Sequence, residues 1–286
     1  MKNLINSIGL FFIALSLNSY TQVYSENDVE ICNSKFQFAV EQNLTVKPIN
    51  DVITEIGKKF IGTPYVAHTL EVTENEDLII NLSGLDCTTF LENVIVFSRL
   101  IKKEKSNFED FKSELKFVRY RDGKMSDYTS RLHYFSDWIY DNIKKNIVED
   151  VTEKIGGEKI KFNVFFMSKN PDLYKHLKNN PEFVNTIKAH ERLINQRDYY
   201  FIPKGNVHHI ENEIKNGDLI AITTNLKGLD ISHVGIAVKM KNGRIHFMHA
   251  PLVGKEVEIT EEPIGNYLAK IKKHTGIIVL RVKEPN

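Results

Sequence analysis

The sequence predicts an α+β domain in which a helix opening at a cysteine packs on a C-terminal antiparallel sheet, with a largely helical stretch between the two. Three observations carry this. After Cys87, the residues Phe90, Leu91, Val94, Phe97 and Ile101 recur at intervals of three and four, the spacing of one buried helix face. The last third of the chain holds five β-branched runs, "GDLIAITT", "DISHVGIAVKM", "GRIHFMHA", "KEVEIT" and "GIIVLRV", broken by Asn-Gly and similar turns. Helical runs come first and strands last, which is the order of an α+β chain rather than an alternating one.

The elements follow in chain order. Residues 27–62 read as helical, with Val52, Ile53, Ile56 and Phe60 near helical spacing and Gly62 as the stop. "GTPYVAHTLE" reads as a turn and extended segment, and "EDLIINLSGLD" as a short strand and turn. Asp86 is placed to cap the helix that opens at Cys87, and "RLIKKEK" suits its C-terminal end. Residues 105–215 are mixed. "SRLHYFSDWIYDNIKK" has Leu132, Phe135, Trp138 and Ile139 on one helical face, and "PDLYKHLKNNPEFVNTIKAHERLIN" has room for one or two helices. Neither an internal repeat nor a low-complexity linker divides the chain.

Composition sets bounds. The 286 residues are 42% hydrophobic and 26% charged, ordinary for a globular protein, and long enough to bury a core without disulfide or metal. A net charge of +1 points to no nucleic-acid partner and no anionic membrane. At the N-terminus a lysine, an apolar run from Ile8 to Leu17 and then small and polar residues read as a secretory signal over residues 1–25, too short to span a bilayer comfortably. The mature chain, 26–286, is then one exported domain, periplasmic or secreted, without stable membrane insertion. Export permits a Cys32–Cys87 disulfide, so Cys87 stands as nucleophile, disulfide half or inert core thiol.

A nucleophilic thiol acts as its thiolate, which a helix N-terminus favours; the charge of Asp86 opposes it, so that residue is better a cap or a substrate contact. A histidine must take the proton and a third polar group must orient the imidazole. His233 and His249 lie on strands flanking "MKNGR". A two-residue Asn242-Gly243 loop would put them on opposite faces. A three-residue loop, Lys241-Asn242-Gly243, pairs Met240 with Arg244 and puts His249 opposite Gly235, on the face of His233. Gly235 and Ala237 make that face shallow, with room for the cysteine helix. His208 and His209 offer metal ligands, but no HExxH or paired-cysteine pattern supports a metal. His133 reads as a substrate contact or a helix-surface residue. Tyr120, Tyr128, Tyr134, Trp138 and Tyr140 read as core or as a sugar-stacking platform.

Four segments in order, "GTPY" at 62–65, "LDC" at 85–87, "SHVGIAV" at 232–238 and "FMHA" at 247–250, resemble the papain-like NlpC superfamily of cell-wall hydrolases. Thr88-Thr89 departs from the usual Ser-Gly after the cysteine, and the long insertion, about 105–215, departs from the compact members. That combination is similar to the N-acetylmuramoyl-L-alanine amidase-like branch. The resemblance implies a papain-like (NlpC-type) fold, Cys87 as nucleophile, His233 as base and His249 as orienting residue. It implies that Tyr65, Asp86 and Thr88 line the substrate site, with no metal or cofactor and with muropeptides as partners. The alternatives are a γ-D-glutamyl-diamino-acid endopeptidase on the same scaffold and a non-catalytic wall-binding module.

Overall fold

The computed structural model describes residues 22–252 and 255–285. The expected secretory segment lies outside the described residues up to residue 21. Strand β1 (Gln22–Val23) pairs in parallel with β2 (Leu78–Ile79). Ser25 caps α1 (Glu26–Glu41) in a reciprocal box with Asp28, whose other oxygen accepts from the Leu82 amide at 2.7 Å. The helical stretch expected over 27–62 is broken after Glu41, where Asn43 is left-handed and Pro48 precedes α2 (Ile49–Lys58). The second helix stops at Lys58, four residues before Gly62.

Helix α3 (Cys87–Lys102) begins where the spacing places it. Asp86 Oδ1 accepts from the Thr89 amide at 2.7 Å, while Thr89 Oγ1 accepts from the Asp86 amide at 2.9 Å. Thr89 is therefore a cap residue, which explains one of the two threonines after the cysteine. The expected apolar stripe is buried, but so are Glu92, Asn93, Ile95, Val96 and Arg99, because neighbours surround the helix. Glu92 forms a buried ion pair with Arg119 on α4 (Phe108–Arg119) at 2.7 Å and faces Trp138 Nε1 on α5 (Phe135–Lys144) at 3.3 Å.

The insertion holds α5 and α7 (Pro181–Gln196) in the two segments read as helical, and also α4, α6 (Phe166–Lys169) and α8 (Val207–Ile210), which the sequence reading did not single out. It also supplies strands that apolar spacing did not reveal: β3 (Val148–Asp150), β4 (Glu158–Ile160) and β5 (Tyr199–Pro203). These join β6 (Leu219–Thr224), β7 (Ile231–Lys239), β8 (Ile245–His249), β9 (Glu258–Ile259) and β10 (His274–Val282), with α9 (Ile264–Lys270) between the last two strands. The sheet runs β4-β5-β10-β6-β7-β8-β9, and β3 also pairs with β10; every pairing in it is antiparallel. At three residues each, β3 and β4 carry too little periodicity to be seen in sequence.

The β7–β8 turn takes the three-residue form. The Met240 amide donates to Arg244 O at 2.9 Å, Ala237 faces Phe247, and Gly243 has φ +79°. A side chain at Gly243 would meet no atom within 4 Å, so only the backbone resists one. Gly243→Ala is expected to lower stability by about 1 kcal/mol, read as a shift of the urea midpoint at unchanged slope.

The sheet is covered on both sides, and here one expectation is corrected. Val234, Ile236 and Val238 of β7 pack in the same core as Leu91, Val94 and Ile95 of α3. Ala237 packs on the other side with Phe247, Ile264 and Leu268. The cysteine helix therefore lies against the branched face, not the shallow face of His233, Gly235 and Ala237. The small residue at 235 makes room for the Phe247 ring, which a Cβ there would approach to 2.7 Å.

Candidate active site

Cys87 sits at the first turn of α3, where amide groups have no intrahelical acceptor. Its sulfur is half-buried, faced by the Thr88 amide and hydroxyl and by the Val234 amide. Strand amides point in the plane of the sheet, so the sulfur lies beside the β7 edge rather than above a sheet face. That is how α3 packs on one face while its N-terminus reaches the cavity that His233 lines. Ser232 is an extra residue on β7: His233 pairs with Ile222 and Ile231 with Thr223, a bulge that re-aims the strand at this point.

Cys32 and Cys87 are both free thiols, so the disulfide alternative is not formed. Cys32 is buried in the core, and burial pushes its thiol up to about 12. Burial, then the charge of Asp86, also pushes Cys87 up to about 12, against the thiolate-favouring amides of Val234 and Thr88. The helix start thus does not by itself produce a resting thiolate.

His233 Nε2 and His249 Nδ1 are 2.6 Å apart, a direct hydrogen bond between two buried imidazoles. The bond leaves Nδ1 as the other nitrogen of the His233 ring, which lines the same cavity as Cys87. Burial, aided by His249, His274 and Lys273, holds His233 well below the usual histidine range. Burial lowers His249 to about 4. All three shifts favour a neutral thiol beside two neutral imidazoles near neutral pH.

These depressed values carry a stability prediction. In the unfolded chain the rings take protons near pH 6.5; in the folded chain His249 and the buried His274 do so only at about 4. The unfolded state binds more protons between those limits, so stability rises with pH there. The contribution is fully present above pH 6.5 and is lost on falling toward pH 4. Each ring contributes roughly 3 kcal/mol. Urea unfolding at a series of pH values should show this loss, and His274→Gln should flatten it.

The cavity beside Cys87 and His233 has a volume of about 560 Å³, and its other walls include Tyr128, His133, Tyr134 and Tyr174. A smaller cleft of about 200 Å³, lined by Asp86, Thr88 and Arg131, shares His68, Glu71, Thr88, Leu132 and His133 with it. Thr88 borders both spaces, and Asp86 only the smaller. Tyr65 is half-buried and lies close enough to Cys87 and Asp86 for both, after burial itself, to push its phenol up to about 12. It is not among the residues lining the larger cavity.

His133 is not on a helix surface. It precedes α5, bonds the Tyr128 carbonyl at 2.7 Å and packs against that ring. The aromatic cluster divides: Tyr128 and Tyr134 border the cavity, Tyr120 and Trp138 are core, and Tyr140 lies under Arg197. His208 and His209 pack against each other, tilted, in α8. The cavity walls from the insertion, Leu173 and Tyr174 among them, and the carboxylates Glu71 and Asp230 were not singled out in the sequence. Asp230 is buried and accepts from the Ser136 amide at 2.7 Å, capping α5 from the β6–β7 connection.

A family model described as AmiA-like, N-acetylmuramoyl-L-alanine amidase-like, matches residues 55–277. The chain belongs to this AmiA-like family. The match spans Cys87, His233 and His249 together with the whole insertion, so the cavity described above is built entirely within the family's domain. A Bacteroides uniformis protein named N-acetylmuramoyl-L-alanine amidase is similar to this AmiA-like chain at 37% identity and a TM-score of 0.77. The alignment covers 82% of this chain and 99% of that one. A Bacteroides fragilis protein, described as a candidate xylanase, is 42% identical with a TM-score of 0.75, over 80% of this chain and 99% of that one. A Legionella pneumophila protein at 22% identity and a TM-score of 0.67 shares the fold, over 91% of this chain and 97% of that one. No curated protein sequence matches.

Proposed function

We propose that this AmiA-like chain is a cysteine-dependent peptidoglycan amidase that hydrolyses the amide between N-acetylmuramic acid and L-Ala of muropeptides. The observation that carries the reading is the meeting, around one cavity of the family's domain, of a helix-start thiol and His233, whose ring is held by a hydrogen bond to His249. The reading takes the scaffold to be papain-like and the protein to act after export, in the periplasm or outside the cell.

Cys87 attacks the lactyl carbonyl as His233 Nδ1 takes its proton, which avoids forming a free thiolate first. The carbonyl oxygen becomes an oxyanion that the Cys87 amide at the start of α3 stabilises, a donor worth roughly 3 kcal/mol. His233 returns the proton to the departing L-Ala nitrogen, leaving a thioester, and water attacks that thioester with His233 again as base. His249 holds the His233 ring through Nε2. The insertion contributes the Tyr174 side of the cavity, a partly exposed ring that can meet a sugar face, and the cavity volume suits one saccharide with the first residues of a peptide.

A xylanase needs two carboxylic acids flanking a glycosidic bond. Of the two carboxylates that border the larger cavity, Asp230 caps α5 and Glu71 Oε1 pairs with Arg131 at 2.7 Å, so each is tied to a structural partner.

Incubating the purified protein with N-acetylmuramyl-tripeptide tests the assignment by mass. Release of the intact L-Ala-led peptide is expected. Release of the terminal diamino acid would make it the endopeptidase, and no release with Cys87 unreactive would make it a binding module.

A further inference from the structure

The buried His249 ring has one nitrogen with no hydrogen-bond partner. Nδ1 bonds His233, but Nε2 is out of solvent and unpaired. The strand register puts Glu258 of β9 directly opposite His249, with Glu258 Oε1 3.9 Å from that nitrogen. The Glu258 side chain is 45% exposed, so rotation can close the distance to a hydrogen bond. Phe247 stacks on one side of the ring and Tyr267 meets it edge-on, which holds the imidazole in place.

A neutral imidazole carries one N–H, so the His233–His249 bond can be made in two ways. In one, His249 Nδ1–H donates; His233 then carries its hydrogen on Nδ1 and cannot accept from Cys87. In the other, His233 Nε2–H donates, His233 Nδ1 is a free base, and the hydrogen of His249 must sit on Nε2. Only the second arrangement is competent, and it alone places an N–H donor before the carboxylate.

We propose that Glu258 is a positioning residue that selects this arrangement, holding the hydrogen of His249 on Nε2 so that His233 Nδ1 stays free for the Cys87 proton. The inference rests on the cysteine amidase reading, and the proton simply moves from sulfur to His233 Nδ1 and back. The carboxylate also stabilises the charge that the pair acquires when His233 is protonated. The other titratable and charged groups around the pair are Tyr267 of α9, His274 and Lys273 on and before β10, and Cys87 with Asp86 at the start of α3.

The test uses the full mature chain with Glu258→Gln and Glu258→Leu. Glutamine can still accept from Nε2–H but carries no charge; leucine does neither. Nitrogen-15 spectra of histidine-labelled protein read the tautomers, and iodoacetamide alkylation mapped to Cys87 reads the thiol–imidazole pair without any muropeptide. Wild type and Glu258→Gln should show His249 with hydrogen on Nε2 and alkylate within about threefold of each other. Glu258→Gln should also move the acid limb of the alkylation profile about half a unit lower, because loss of a nearby negative charge makes imidazole harder to protonate. Glu258→Leu should shift the hydrogen to Nδ1 and slow alkylation about 10- to 100-fold. Wild-type tautomers and an unchanged alkylation rate in Glu258→Leu would overturn the inference, whether or not muropeptides are cleaved. If no variant cleaves muropeptide but the alkylation gap persists, the positioning role stands and the amidase assignment fails.

Discussion

Cys87→Ala is expected to fold like the wild type and to lose release of L-Ala-led peptide by about 10⁵-fold or more. The fold should tolerate the change because the thiol is half-buried and free, and the cap that starts α3 is made by Asp86 and Thr89 rather than by residue 87. Thermal unfolding should therefore shift by no more than a few degrees, as for a change worth about 1 kcal/mol. Cys87→Ser separates the chemistry further. Serine keeps the shape and the neighbouring donors, but a thiol held near 12 is still far more acidic than an alcohol. Serine should thus remain nearly inactive.

The same neutral resting site predicts how activity responds to pH. Since His233 lies well below the usual histidine range, it stays a free base into mildly acidic solution, and the acid limb of kcat/KM should fall below pH 6.5. A site that needed a preformed thiolate–imidazolium pair would instead lose activity once the imidazolium deprotonated. Full turnover in Cys87→Ala would remove the nucleophile assignment outright.

The second large effect is structural. Glu92 is expected to be worth 3–5 kcal/mol when removed alone, by Glu92→Leu, because that leaves the Arg119 guanidinium charged and buried. Glu92 and Arg119 are 2% and 3% exposed. Their contact does more than neutralise two charges: Arg119 also donates to the Ile79 carbonyl at 2.7 Å, and Trp138 Nε1 faces the second Glu92 oxygen. One carboxylate on the cysteine helix therefore ties together α3, α4, α5 and the β2 strand. Urea unfolding should show the loss as a lower midpoint. The double change Glu92→Leu with Arg119→Met should recover most of it, since two apolar groups of similar volume need no desolvated partner. If the double variant is as unstable as the sum of its parts, the pair is not coupled and the account of how α3 is held is wrong.

Some of the site was open to reading because its signals are local. A capping aspartate, a following threonine and apolar residues at three- and four-residue spacing place the start of α3 within the sequence itself. The β-branched runs mark β6 to β10, and the Asn-Gly pair with glycine at positive φ admits the loop that sets the β7–β8 register. Because strand side chains alternate strictly, that single loop length determines whether two histidines sixteen residues apart share a face.

What tertiary structure alone decided involves residues with no local signal of their partner. Residues 233, 235 and 237 share a face, but nothing in their spacing says whether a helix or the Phe247 ring will cover it. The strands β3 and β4 are three residues each, too short for periodicity to show, and with β5 they exist because β10 and each other offer edges to pair with. Glu258 looks like any exposed glutamate until the β8–β9 register sets it opposite His249. The thiol's resistance to ionisation likewise depends on how much water the surrounding fold removes, and desolvation is a sum over distant neighbours that no short stretch of chain contains.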